Sequence, residues 1–187
     1  MASKSTKTSL NLFAQFVSIV LNPVLMVFVM ILGLSMRFSI PYLTVMLIMG
    51  PFILTTLGYV AYHRYIIKDA DLDLTQLKTR RYLGITSFAG LMVSFAISHY
   101  LYPELDIIFY RVGGIILISG LISQKWKISF HSIGFTSLAF AYYRLFGFES
   151  LALLVLLPLL YWSRLILKKH TIKQLIAGSI LSMIILI

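Results

Sequence analysis

Long apolar runs alternate with short polar interruptions from one end of the chain to the other. Leu10–Leu21 and Pro23–Met36 read as one membrane span broken at Asn22-Pro23, closed by the turn Arg37-Phe38-Ser39. The next run, Pro41–Tyr62, carries Pro51 as an expected kink. Tyr82–Leu101 and Asp106–Ser123 follow, joined by the tight turn Tyr102-Pro103-Glu104. Phe130–Leu145, Ser150–Ser163 and Thr171–Ile187 complete the series, with a hairpin turn at Phe146-Gly147-Phe148-Glu149. A bilayer core is crossed by about 20 apolar residues in a helix. The pattern therefore predicts an all-α fold, a polytopic transmembrane helix bundle of six or seven spans, with the shortest runs tilted or buried inside it.

The polar interruptions carry a second pattern. His63–Arg81 is the longest, and it is separated by two spans from Gln124–His131, which is separated by two more from Arg164–Lys173. Even spacing puts all three on one side of the membrane, together with the N-terminus. That side collects Lys4, Lys7, Arg64, Lys68, Lys78, Arg80, Arg81, Lys125, Lys127, Arg164, Lys168, Lys169 and Lys173, 13 of the 16 basic residues. The positive-inside rule makes this face cytoplasmic. A cluster that binds an anion such as a phosphate produces the same count.

Composition agrees with the pattern. Of 187 residues, 59% are apolar and 12% charged, and the mean hydropathy is +0.93. An ordinary soluble domain has about twice that share of charge, so a water-soluble globule is excluded, as are a disordered tail and a coiled-coil rod. The net charge of +10 sits at span ends, where it meets lipid phosphates or an anionic ligand. No basic soluble domain exists to bind nucleic acid. Cysteine is absent, so thiolate chemistry and cysteine metal sites are excluded. Asp69, Asp71 and Asp73 alternate without the glycine of a calcium loop, and no His/carboxylate spacing suits zinc. The reading implies no metal and no cofactor. Arg111, five residues after Asp106, is expected to find a structural partner near the span end.

Among the four histidines, His63 and His99 read as interfacial residues beside tyrosines. His131 follows Lys127-Ile128-Ser129-Phe130, and His170 follows Ser163-Arg164 and precedes Gln174 by four residues. Four residues is one helical turn, so Gln174 is placed to hold the His170 ring. As ordinary interfacial polar groups these residues need no function. Their order on one face, with Arg164 and Lys127 beside them, favours a site.

Ser163-Arg164-x5-His170-x3-Gln174 and the run to Gly178 resemble the third signature of the type 2 phosphatidic acid phosphatase / vanadium haloperoxidase superfamily. In that signature an aspartate stands where this chain has Gln174. Ser129-Phe130-His131 resembles the second signature at Ser129 and His131. Lys78, Arg80 and Arg81 lie where the first belongs, before Tyr82, with different spacing. The resemblance covers about residues 78–187 of a single integral membrane domain, with residues 1–62 as N-terminal spans. It implies a metal-independent phosphatase that acts on a lipid phosphate or polyprenyl (di)phosphate through a phosphohistidine intermediate. His170 is then the nucleophile, His131 the acid and Gln174 the orienting residue, while Arg164, Ser129, Lys127, Arg81 and Lys78 hold phosphate. The expected partners are the bilayer and that lipid, in a bacterial inner (cytoplasmic) membrane. The family usually places its active face outside the cytoplasm, opposite to the positive-inside count. Because glutamine brings no negative charge, a non-catalytic lipid-phosphate-binding or structural member is the alternative. A small transporter would show an inverted repeat and polar mid-span positions, and neither is evident.

Overall fold

The computed structural model describes residues 2–68, 77–80 and 82–187, and leaves out the side chains of residues 2–8, 77 and 78. The described residues are helical, with no strand among them. We number the α-helices in chain order: α1 (Ala2–Val20), α2 (Pro23–Phe38), α3 (Tyr42–Ala61), α4 (Leu77–Arg80), α5 (Leu83–Leu101), α6 (Asp106–Ser123), α7 (Phe130–Phe146), α8 (Leu157–Ile166) and α9 (Ile172–Leu186). Among the described residues, five segments are long and apolar enough to cross a membrane: Ser9–Phe38, Tyr42–Ile67, Leu83–Leu101, Pro103–Ser123 and Phe148–Ile166. The apolar helix Ile172–Leu186 is shorter.

The breaks fall close to where the polar pattern puts them. At Asn22-Pro23 the Asn22 side chain accepts the Val24 N–H at 2.8 Å, and Pro23 supplies a first helical residue that needs no acceptor. Ser39, with φ 55°, turns the chain after α2, and Gly147, with φ 100°, turns it after α7. The expected loop at His63 begins later. A π-helical turn, Tyr62–Ile67, extends α3 and ends at Lys68 with φ 59°. Stacking of Tyr59 on His63, with ring centroids 4.4 Å apart, and the edge contact of Tyr62 with His63 accompany this wider turn. The run Ser150–Ser163 is not uniform either: Phe148–Leu156 is 3-10 helix, which gives way to α8.

The chain divides into two compact units, Leu34–Lys127 and the pair of segments Met1–Gly33 and Ile128–Ile187. In the unit Leu34–Lys127, α3 packs on α5 and α5 on α6. Helix α3 continues through Pro51, and the next backbone N–H, that of Phe52, reaches the Ser94 hydroxyl at 3.2 Å. Thr56 bonds Ser87 at 2.9 Å. Helices α5 and α6 approach through Gly84 and Gly120, where a Cβ on Gly84 would lie 2.9 Å from the Gly120 Cα. Each helix contributes one glycine, so no spacing within a single helix announces the crossing. At the far end of these helices His99 Nδ1 meets Asp106 at 2.7 Å, so the Asp106 carboxylate closes the α5–α6 turn.

In the other unit, Val17, Leu21, Met26, Phe135, Leu138 and Leu160 form the apolar core. Helix α7 carries a polar stretch on its buried face, with His131, Ser132 and Thr136 among its buried residues. That polarity is tolerable because the face meets protein rather than lipid. Its neighbour α9 runs parallel to it, joined by hydroxyl pairs at successive levels. Thr136 donates to Ser179 at 2.9 Å, Ser137 to Ser182 at 3.1 Å, and Ser182 to the Ile133 carbonyl at 3.1 Å. Tyr161 of α8 joins the ladder at Ser179, 2.7 Å away. In an apolar solvent such bonds contribute about 0.6 kcal/mol each, and small side chains also let backbones come close. The closest approach is at Gly178, where a Cβ would lie 2.8 Å from the Ser129 carbonyl oxygen.

Gly178→Ala is therefore expected to destabilise the protein by about 1–3 kcal/mol, since the atom it meets is backbone and cannot step aside. Gly58→Ala, where nothing lies within 4 Å, is expected to leave stability unchanged or raise it. Thermal unfolding of both variants in one detergent checks the pair.

Candidate active site

The site is built where α8 ends and α9 begins. Helix α8 closes with Leu167 N–H on the Ser163 carbonyl and Lys169 N–H on the Arg164 carbonyl, both at 3.0 Å. Lys168, at φ 53°, reverses the chain, and Thr171 then caps α9 in extended geometry. Thr171 and Gln174 form a reciprocal capping box: the Thr171 side chain accepts the Gln174 N–H, and Gln174 Oε1 accepts the Thr171 N–H at 3.1 Å.

The same Gln174 oxygen lies 3.1 Å from His170 Nδ1. His170 precedes the helix, so the contact comes from the cap rather than from a shared helical face. Its chemical consequence is specific. An amide placed at 174 has two ends, and its NH2 end would hold the opposite tautomer of the ring. The Thr171 N–H can only donate, so it fixes the carbonyl end of the amide toward this corner. A carbonyl oxygen can only accept, so Nδ1 carries the proton and, in the neutral ring, Nε2 carries the lone pair. His170 itself is largely buried, 8% exposed.

A second helix start lies beside the first. Ser129 caps α7, its hydroxyl oxygen accepting the Ser132 N–H at 3.3 Å and the Ser132 hydroxyl at 3.2 Å. Its backbone N–H donates to the Gln174 carbonyl at 3.3 Å. The N-termini of α7 and α9 are thereby tied together, and His131, two residues into α7, is buried there. Both starts present the positive end of a helix dipole to the same region. Arg164, in the last turn of α8, is fully buried, and its Nη1 donates to the Ser18 hydroxyl on α1. Ser163 turns its hydroxyl onto the Leu160 carbonyl at 2.9 Å, a local bond within its own helix.

His170, Gln174, Ser129, His131 and Arg164 thus belong to one unit, in which Gln174 ties His170 to Ser129. Lys127 belongs to the other unit. Lys78 lies in α4, with its side chain outside the described residues, and Arg81 lies outside them altogether. Comparison with known proteins finds no matching family model, no similar curated protein and no similar solved structure.

Two participants escape a motif reading. Thr171 is visible in retrospect as a Thr-x-x-Gln capping box. Ser18 is signalled only by being polar in the buried stripe Ala14, Val17, Ser18, Leu21 of α1. Arg80, in the unit Leu34–Lys127, is buried together with Thr79, whose carbonyl accepts the Tyr59 hydroxyl at 2.8 Å. Charge alone does not distinguish Arg80 from its neighbours Lys78 and Arg81.

If Gln174 fixes the ring as described, neutral His170 is held as the Nδ1–H tautomer. Histidine 15N NMR is expected to show that tautomer dominant in the wild type and to show a mixture in Gln174→Leu.

Proposed function

We propose that the chain is a membrane-embedded, metal-independent phosphatase for a lipid phosphate or polyprenyl (di)phosphate, and that His170 is its nucleophile. The observation that carries this reading is the double acceptance by Gln174 Oε1, which orients the ring and leaves Nε2 as a lone pair. The surrounding donor set suits an anion. It comprises imidazole, guanidinium, hydroxyl and the starts of two helices. Within this unit Glu149 is the one acidic side chain. It follows α7, whereas the site lies where α7 begins.

In the proposed reaction Arg164 and Ser129 hold phosphoryl oxygens. The Nε2 lone pair of His170 forms a bond to phosphorus as the bond from phosphorus to the lipid oxygen breaks. His131 delivers a proton to that departing oxygen. Water then attacks the phosphohistidine, His131 takes a proton from it, and the N–P bond breaks to release phosphate. Positioning and charge neutralisation supply most of the catalysis in phosphoryl transfer. We further propose that the helices make six or seven spans of a bacterial inner membrane. Helix α7, with 17 residues, and α9, with 15, are tilted or sheltered within the bundle.

A second reading is a lipid-phosphate-binding member without turnover, favoured by the neutral amide at 174. In the serine protease template, exchanging the orienting aspartate for its amide lowers the rate about 10⁴-fold. Part of that loss comes from the wrong tautomer, which the Thr171 N–H suppresses here. What remains is the missing negative charge.

Purified protein is expected to release phosphate from a short-chain phosphatidic acid or a polyprenyl diphosphate with no added metal. His170→Ala is expected to abolish this, and His131→Ala to lower it about 10²–10⁴-fold; release that survives both changes rules the mechanism out. Gln174→Glu keeps the side-chain length and both acceptor bonds while adding charge. A modest gain over an active wild type supports the phosphatase, whereas turnover appearing only in the variant supports the non-catalytic reading.

A further inference from the structure

We infer that Ser18 of α1 is the positioning residue for the phosphate-binding Arg164, an inference that rests on the reading of Arg164 as an anion ligand. Helix α1 buries one stripe, Ala14, Val17, Ser18 and Leu21, while Phe13, Phe16 and Ile19 stay exposed on its other side. Spacing of three and four residues makes this a single face turned to the protein. It packs on α8, and Phe13 stacks near Trp162 with ring centroids 5.6 Å apart. Three of the four positions on the stripe are apolar. The fourth is a hydroxyl, 7% exposed, that accepts from Nη1 of an arginine that is 0% exposed.

Ser18 is suited to position rather than to neutralise. A guanidinium carries five N–H donors in a rigid plane. An acceptor on Nη1 restrains the turn of that plane about the side-chain axis, and a hydroxyl does so without itself adding a negative charge. A carboxylate at position 18 would add one. The bond also joins distant parts of the chain, since residues 18 and 164 are 146 positions apart. Helix α1 is thus a working wall of the site and not only an anchor preceding it.

The experiment is binding of orthovanadate, a phosphoryl mimic, to detergent-purified full-length protein, alongside kcat and KM for a short-chain phosphatidic acid. Ser18→Thr keeps an acceptor oxygen; Ser18→Val has the same shape without one. Loss of a hydrogen bond to a charged group is expected to weaken vanadate binding and raise KM by roughly 10- to 100-fold in Ser18→Val. Ser18→Thr is expected to stay within about threefold of wild type. In Ser18→Val, adding Arg164→Lys is expected to cost less than it does in wild type, because the two residues act together. If Val and Thr variants unfold at similar temperatures and bind vanadate alike, while wild type binds it, Ser18 is packing only and the inference falls alone. Should wild type bind no vanadate and release no phosphate, the reading of Arg164 as an anion ligand falls, and the inference with it.

Discussion

One carbonyl oxygen, that of the Gln174 side chain, is shared between two donors, and much of the candidate site depends on the sharing. The Thr171 N–H, at the start of α9, has no backbone acceptor within the helix. Gln174 meets it and in the same position meets His170 Nδ1. The backbone carbonyl of that same residue receives the Ser129 N–H, which ties α7 to α9. A helix cap, a ring tautomer and the docking of two helices are therefore set by a single residue. A substitution at 174 removes the first two and keeps the backbone carbonyl that makes the third, so its functional effect has to be separated from the loss of the cap by the isosteric carboxylate.

The second constraint is the solvent. In hydrocarbon a helix gains nothing by exposing polar groups, so hydroxyls, histidines and the buried arginine collect on faces turned toward other helices. Helix α7 carries His131 at its start and Ser132, Thr136 and Ser137 behind it, and it is covered by α9, α8 and the 3-10 segment. The ladder of hydroxyl pairs down α7 and α9 holds the two helix starts level, and the glycine at 178 lets them meet closely. A misalignment of even one residue along this ladder would break the Ser129–Gln174 bond that ties the two helix starts. The small polar residues far from the site thus act on it through register.

Much of the fold was legible because the solvent writes itself into composition: the apolar runs and their breaks at Asn22-Pro23, Ser39, Gln124 and Gly147 follow from what a bilayer admits. The extension of α3 to Ile67 was not legible, since a π-helical turn rests on ring contacts of Tyr59, Tyr62 and His63 that no periodicity reports. The meeting of Gly84 with Gly120 was hidden for a related reason, because each helix offers only half of it. At the site, the pairing of His170 with Gln174 was visible as a four-residue spacing. Its mechanism was not, as it runs through a cap on Thr171 and not along a helical face. Ser18 lay beyond reach because its partner is on the far side of the sequence.

The charge balance of this unit bears on how the two functional readings relate. Glu149 is the one acidic side chain in the sequence of this unit, and it lies beyond the far end of α7. Gln174, the position at which an acidic residue would be closest to His170, is an amide, and Ser18, which touches Arg164, is a hydroxyl. Neither residue brings a negative charge to the group it touches, which suits the proposed capture of a phosphate. The same neutrality withholds the negative charge that would stabilise a phosphohistidine as it forms. In the proposed phosphatase, affinity for the anion and speed of its turnover are therefore set against each other at position 174, and the amide lies on the side of affinity.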